Sequence, residues 1–225
     1  ATNGMKFYAK SRYGVSFDNF YVKPACVDLS LFDIRKSRNI RLAKQLAING
    51  KIILVYAGKF GGIYLDIEVF EFAKVVYDFY GDMFRFLVLT SHSREEIEAF
   101  CTKVGLPSAI VVSKFVSYPE IPDYIGLADF AINPVKPVPS KLYCTPIKDG
   151  EYWAMGLPIV ITKGISDDTS IIADERIGVV LETLDEKGYS TALCHLNKIL
   201  ASDRQKLSQK IRDVALKYRS FAIAE

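Results

Sequence analysis

Apolar residues fall in short runs that alternate with stretches of helical spacing. The runs KIILVYAG (51–58), FRFLVLT (84–90), AIVVSKF (109–115), ADFAINP (128–134), LPIVIT (157–162) and IGVVLE (177–182) leave no regular polar face. Such runs predict strands covered on both sides. Residues 66–80 place Val69, Phe72, Ala73, Val76, Phe79 and Tyr80 on one helical stripe, and Gly81 follows as a stop. Ser93 and Glu96 form a capping-box pair ahead of Ile97, Phe100, Cys101 and Val104 at three-four spacing. This βαβαβ order predicts an α/β fold: one parallel sheet with helices on both faces and right-handed crossovers. Ligands of such sheets bind beyond the carboxyl ends of the strands, which selects the loops after Gly58, Thr90, Phe115 and Pro134. A final amphipathic helix over 202–222 carries Leu207, Ile211, Val214, Tyr218 and Phe221 on one face.

The helix that follows the fourth strand is unusual in its own sequence, TPIKDGEYWAMG (145–156). Thr145 and Pro146 read as N-cap and first helical residue. The third helical position, where a carboxylate would answer the positive end of the helix, is then Lys148, a choice disfavoured by about 0.3–1 kcal/mol. Gly150 inside the helix costs about 1 kcal/mol against alanine. At 100° per residue Ile147 and Ala154 share the core face, with Glu151 on its margin and Lys148 further round. Open N–H groups at Ile147 and Lys148, with the lysine charge, suit a diphosphate, and Glu151 suits the hydroxyls of a ribose. The same residues also allow a plain i, i+3 ion pair between Lys148 and Glu151 in solvent.

Composition narrows the class. A chain of 225 residues, 50% hydrophobic and 24% charged, buries a proper core. Its net charge of +3 comes from interspersed charges, with no dense basic block to call for nucleic acid as a partner. Cys26, Cys101, Cys144 and Cys194 form no C-x-x-C pair, and no signal segment precedes them, so a reducing, cytoplasmic setting is expected. No apolar run reaches the roughly 18–20 residues that span a bilayer. The chain has no Asp-x-Asp motif and no His/Cys cluster of metal spacing, so neither a metal nor another cofactor is expected. Gly58, Gly61 and Gly62 make a glycine-rich turn without matching a phosphate-loop pattern. His92 sits in a ligand loop as a weak catalytic candidate, His195 is expected to be structural, and Asp167 with Asp168 reads as a solvated pair or a helix cap.

Several segments together carry a resemblance. PIKDGEYWAMGLPIV resembles the P-x-K-x-x-E-Y-x-A-x-G-x-P-V segment of retaining GT-B glycosyltransferases of the family 4 type, the glycosyl transferases group 1. NFYVKPACVDLSLFD is similar to the linker phrase that opens their C-terminal domain, LVYAGKFGG to the phrase after its first strand, and YPEIPDYIGLADFAINP to its later ADi-i-P segment. The series runs in the family's order over nearly the whole chain. The resemblance implies a Rossmann-like parallel sheet, the C-terminal half of a GT-B fold, that binds a nucleotide-diphosphate sugar donor. It implies that Glu151 holds the ribose, Ile147 and Lys148 hold phosphate at the helix start, Lys59 clamps the diphosphate, and Val116 meets the base through its backbone. Where the family has a first glutamate that touches the sugar, this chain has Tyr143, a possible sugar contact. The family's second basic residue has no counterpart in GKFGGIYLD, and no catalytic residue is assigned.

By the same resemblance residues 1–50 are an interdomain linker with helices packed on the domain, 51–200 the donor-binding domain, and 201–225 a C-terminal amphipathic helix. The chain opens ATNGMKFYAK without an initiating Met and is expected to be an incomplete, inactive fragment. A saccharide or lipid-linked acceptor would meet the absent N-terminal domain, and the stripe Leu207, Ile211, Val214 and Tyr218 is expected to be exposed and to dock that domain in part. The family's setting suggests cell-envelope polysaccharide or lipopolysaccharide synthesis, in the cytoplasm and peripherally at the inner face of the membrane. A UDP-sugar 2-epimerase of the same fold and a non-catalytic nucleotide-binding module are the alternatives.

Overall fold

The computed structural model describes residues 2–224. Six strands, β1 (Ile52–Ala57), β2 (Phe84–Leu89), β3 (Val111–Lys114), β4 (Phe130–Asn133), β5 (Ile159–Thr162) and β6 (Gly178–Leu181), form one parallel sheet in the order β3-β2-β1-β4-β5-β6. The helices are α1 (Asn3–Tyr13), α2 (Ile40–Gln45), α3 (Ile67–Tyr80), α4 (Arg94–Val104), α5 (Ile121–Ile125), α6 (Ile147–Ala154), α7 (Asp168–Glu175), α8 (Glu186–Leu200) and α9 (Arg204–Arg219). The apolar runs account for the sheet directly. Alternate residues of β1 feed opposite cores: Ile53, Val55 and Ala57 belong to the core that holds Trp153, Ile211 and Val214, whereas Leu54 and Tyr56 belong to the one that holds Phe70, Phe72 and Leu193. A strand with no wet face needs apolar side chains at every position.

Helices form where their caps and stripes dictate. Ser93 and Glu96 make the full capping box of α4, and Asp66 caps α3 through the Ile67 amide. On α3 the buried set is Val69, Phe70, Phe72, Ala73 and Val76, while Phe79, expected on that stripe, is 63% exposed. Tyr80 turns to α8 and its hydroxyl donates to Asn197 Oδ1 at 2.5 Å.

The final helix corrects another expectation. Ile211, Val214 and Ala215 of α9 are buried, and Leu207 and Tyr218 pack on the same core, so the stripe is covered from within rather than offered to another domain. Its cover is α6, together with the segment around Val27. That packing explains Gly150. A Cβ at this position would lie 2.6 Å from Val27 Cγ2 and 3.1 Å from Arg219 Cγ, so only glycine lets these elements close on α6. Among the described residues, no helix is long and apolar enough to cross a membrane.

Candidate functional site

The sheet order reverses between β1 and β4, because the chain leaves β1 toward β2 and β3 and returns on the other side of β1. Such a switch point opens a crevice at the carboxyl ends of the strands. A cavity of about 350 Å³ lies there, lined by Ala57, Gly58 and Lys59 at and after the end of β1, Leu89 and Thr90 at the end of β2, Val116 and Tyr118 after β3, and the first turns of α6. Lys59, Val116, Ile147, Lys148 and Glu151 all line it. Tyr143 does not: it stands on the turn before α6, where its ring centroid is 5.1 Å from that of Tyr8 in α1.

The start of α6 differs from the expected one by a residue. Pro146 is the N-cap, in extended conformation and with no capping side chain, and the helix begins at Ile147. Thr145 therefore lies outside the cap, and Lys148 is the second helical residue. The third is Asp149, a carboxylate at the position that normally answers the helix end. It is turned away: Asp149 is fully buried and its Oδ1 accepts from Asn133 Nδ2 at 2.6 Å. The first turn of α6 thus lines the cavity without a side-chain cap, which leaves the positive end of the helix open to an anion.

The side chains around that end are held in place. Lys148 Nζ lies 3.4 Å from Tyr64 Oη and 4.9 Å above the Tyr64 ring. Gly58 makes this course possible, since a Cβ there would stand 2.8 Å from Lys148 Cε and 2.7 Å from Tyr56 Oη. The Tyr56 hydroxyl donates to the Lys59 carbonyl at 2.6 Å and so orients the turn that carries Lys59. Glu151 is 6% exposed, and its Oε1 accepts from Tyr118 Oη at 3.1 Å. Burial pushes the Glu151 carboxyl up, against the pull of the Tyr118 hydrogen bond and the Lys148 charge. Burial and then the Glu151 charge push the Tyr118 phenol up to about 12, so it remains a donor at neutral pH.

Tyr64 and Tyr118 are the members of this site that the sequence did not disclose. Tyr64 reaches Lys148 across 84 residues of chain, and Tyr118 reaches Glu151 across 33, so no local spacing marks either. His92 is also explained. Its Nε2 accepts the Phe60 amide at 3.1 Å and its Nδ1 faces Glu96 Oε1 at 3.3 Å, so the ring braces the turn after β1.

Asp167 and Asp168 are not a solvated pair, and Asp167 stands at the N-cap position of α7 without a capping side-chain hydrogen bond. Asp167 Oδ2 accepts from the Asn3 amide at 2.9 Å, but Asp168 is buried and ion-paired with Arg219, itself 1% exposed. The Arg219 guanidinium also donates to the Ala25 carbonyl at 3.1 Å and lies 5.3 Å over the Trp153 ring. One cation therefore serves two buried carboxylates, Asp168 and Asp149. Burial, and then the negative charge of Asp168, raise the Asp149 carboxyl well above the ordinary range, against the pull of Arg219 and of the Asn133 hydrogen bond. A raised folded-state pKa contributes stability that is complete below the unfolded value of about 3.9 and is lost as pH rises through the folded value. Asp149→Asn preserves the amide partner and removes the titration. The melting temperature of the parent chain is expected to fall relative to Asp149→Asn as pH increases above about 4, and a constant difference between the two across pH would show that the Asp149 pKa is not raised.

The sheet order and the covering helices define a Rossmann-like α/β domain of the GT-B type. The chain belongs to the family Glycosyl transferases group 1, whose pattern it matches over residues 52–198. Among solved structures it is similar to WaaG, a glycosyltransferase involved in lipopolysaccharide biosynthesis (16% identity, TM-score 0.75, covering 99% of this chain and 59% of that one). It is also similar to the C-terminal domain of the group 1 glycosyl transferase LpcC from Francisella tularensis (19% identity, TM-score 0.65, covering 87% of this chain and 99% of that one). A third is HepE from Anabaena in complex with UDP-glucose (14% identity, TM-score 0.65, covering 88% of this chain and 53% of that one). Compared with WaaG, then, the chain spans about three fifths of the length. No curated protein matches it in sequence.

Proposed function

We propose that this chain is the donor-binding domain of a retaining glycosyltransferase that takes a nucleotide-diphosphate sugar, in the synthesis of a cell-envelope polysaccharide or lipopolysaccharide. The observation that carries the reading is the single cavity in which the uncapped start of α6, Lys148, Lys59 and the buried Glu151 converge. The amides of Ile147 and Lys148 and the two ammonium groups would receive the diphosphate. Glu151, steadied by Tyr118, would accept from the ribose hydroxyls, and the backbone at Val116 would meet the base. When the glycosidic bond to the donor breaks, negative charge grows on the departing diphosphate. Fixed amides and cations already aimed at that charge stabilise it without reorganisation. The new bond would keep the donor's anomeric configuration. Tyr143, on the adjoining turn, is the candidate for contact with the sugar.

UDP-glucose in the Anabaena protein and lipopolysaccharide synthesis in the case of WaaG favour this donor class and this setting. In this reading a saccharide or lipid-linked acceptor binds a second domain, and the protein works at the cytoplasmic face of the membrane. A 2-epimerase would need ionisable groups beside the sugar, and His92 is a poor one with both ring nitrogens engaged.

The test is calorimetric titration of the chain with nucleosides, nucleoside diphosphates and their sugar conjugates. Diphosphates are expected to bind, and Lys148→Ala is expected to weaken them by about 1.5 kcal/mol or more, roughly tenfold, while leaving nucleosides unchanged. Equal loss for both ligands, or no diphosphate binding by the parent chain, would overturn the assignment of this helix end.

A further inference from the structure

A second hollow, apart from the donor cavity, lies at the opposite edge of the sheet. It measures about 790 Å³ and opens between the segment around Arg38, the amino-terminal ends of β1, β4 and β5, and the junction of α8 with α9. Its floor is apolar, built from Ile52, Met155, Leu157, Leu200 and Leu207. This volume is in the range that accommodates a drug-sized ligand, about 300–1,000 Å³.

One side of the hollow is cationic. Arg204 and Arg38 converge on the same carboxylate oxygen of Asp129, Arg38 at 3.6 Å, while the other oxygen accepts the Ile53 amide at 2.8 Å. Burial raises the Asp129 carboxyl to about 6, against the Ile53 hydrogen bond and the Arg38 charge, so at pH 7 it carries one negative charge. A third guanidinium on the rim, Arg35, is already bound to Asp33 at 2.8 Å. One carboxylate therefore balances two guanidinium groups, and a full positive charge is left beside an apolar floor. The backbone of Arg38 is in the left-handed region, with φ 62°, and its amide is tied to the Gly126 carbonyl at 2.8 Å. An arginine held in that region persists only where its surroundings impose it.

We propose that this hollow is a binding site for a small amphiphile with an apolar chain and one anionic head, a free carboxylate or phosphate monoester. The chain lies on the floor of Met155, Leu157 and Leu200, and the head meets Arg38 and Arg204. The site is at the far edge of the sheet from the donor cavity and does not depend on what that cavity binds.

The probe is octyl phosphate below its micelle concentration, with octanol and octylammonium for comparison. The chain has three methionines, and two of them, Met5 and Met83, are exposed, so methyl labelling gives three signals of which only Met155 reports on the hollow. The Met155 methyl is expected to shift saturably at one equivalent of octyl phosphate, with Met5 and Met83 unmoved. Octanol should bind at least about tenfold more weakly and octylammonium not at all. Arg38→Gln leaves the Arg204 pair with Asp129 in place. It is expected to weaken octyl phosphate by at least about tenfold with little change in melting temperature or in nucleoside diphosphate binding. An unmoved Met155 signal, equal binding of octanol, unaltered affinity in Arg38→Gln, or displacement of octyl phosphate by a nucleoside diphosphate would each overturn the proposal.

Discussion

Arg219→Ala is expected to cost the fold about 3–5 kcal/mol, the usual penalty for stranding the partner of a buried ion pair. Arg219 is the cation against Asp168, and Asp149 stands in the same interior, where its Oδ1 accepts from Asn133. Without the guanidinium two carboxyl groups share a closed space, and water cannot reach them. The arginine stem also packs on Gly150 and Trp153, and the Arg219 carbonyl accepts the Val27 amide at 2.9 Å. A domain of ordinary stability, about 5–15 kcal/mol, loses a large fraction of its margin by such a change. Urea denaturation measures the loss. The double variant Arg219→Met with Asp168→Asn is expected to recover much of it, because replacing both members of a buried pair removes the stranded charge. A loss of less than about 1 kcal/mol in Arg219→Ala would mean that the ion pair is hydrated rather than buried.

Glu151→Gln is expected to weaken nucleoside diphosphates by about 1.5–3 kcal/mol, or roughly 10- to 150-fold, while inorganic pyrophosphate binds as before. A carboxylate that receives ribose hydroxyls makes charge-assisted hydrogen bonds, and the amide that replaces it presents a donor toward donors. The stability of the variant should hold, since the Tyr118 hydroxyl can still donate to the amide oxygen. Affinity in the parent chain should also decline at acid pH. Ribose donors favour the ionised carboxylate, burial has already raised its pKa, and so binding is lost as pH falls through that raised value. Unchanged nucleotide affinity in Glu151→Gln would reduce Glu151 to the anchor of Tyr118.

The sequence by itself determined the strands, their parallel arrangement and the edge at which the chain gathers its loops. Each of those follows from local pattern: short apolar runs bounded by turn signals predict strands covered on both sides, and helical crossovers between them call for parallel pairing, although β3 leaves Ser113 and Lys114 exposed. It also marked α6 as an odd helix and put Lys148, Glu151 and Lys59 within reach of one strand edge, because those residues sit in or beside turns that the strand ends define. What it could not determine were the partners that meet across the fold. Nothing local marks Asp149 as buried; Asn133 at the end of β4 and Arg219 at the end of α9 face it in the interior. The stripe on α9 reads as exposed until α6 is laid against it, with Gly150 as the point of closest approach. Tyr64 and Tyr118 have no periodic or motif signal, since their hydroxyls are placed by chain crossings of 84 and 33 residues. Hydrophobic periodicity is a property of neighbours along the chain, whereas a buried charge or a positioning hydroxyl is defined by what faces it in space, and that only the tertiary structure decided.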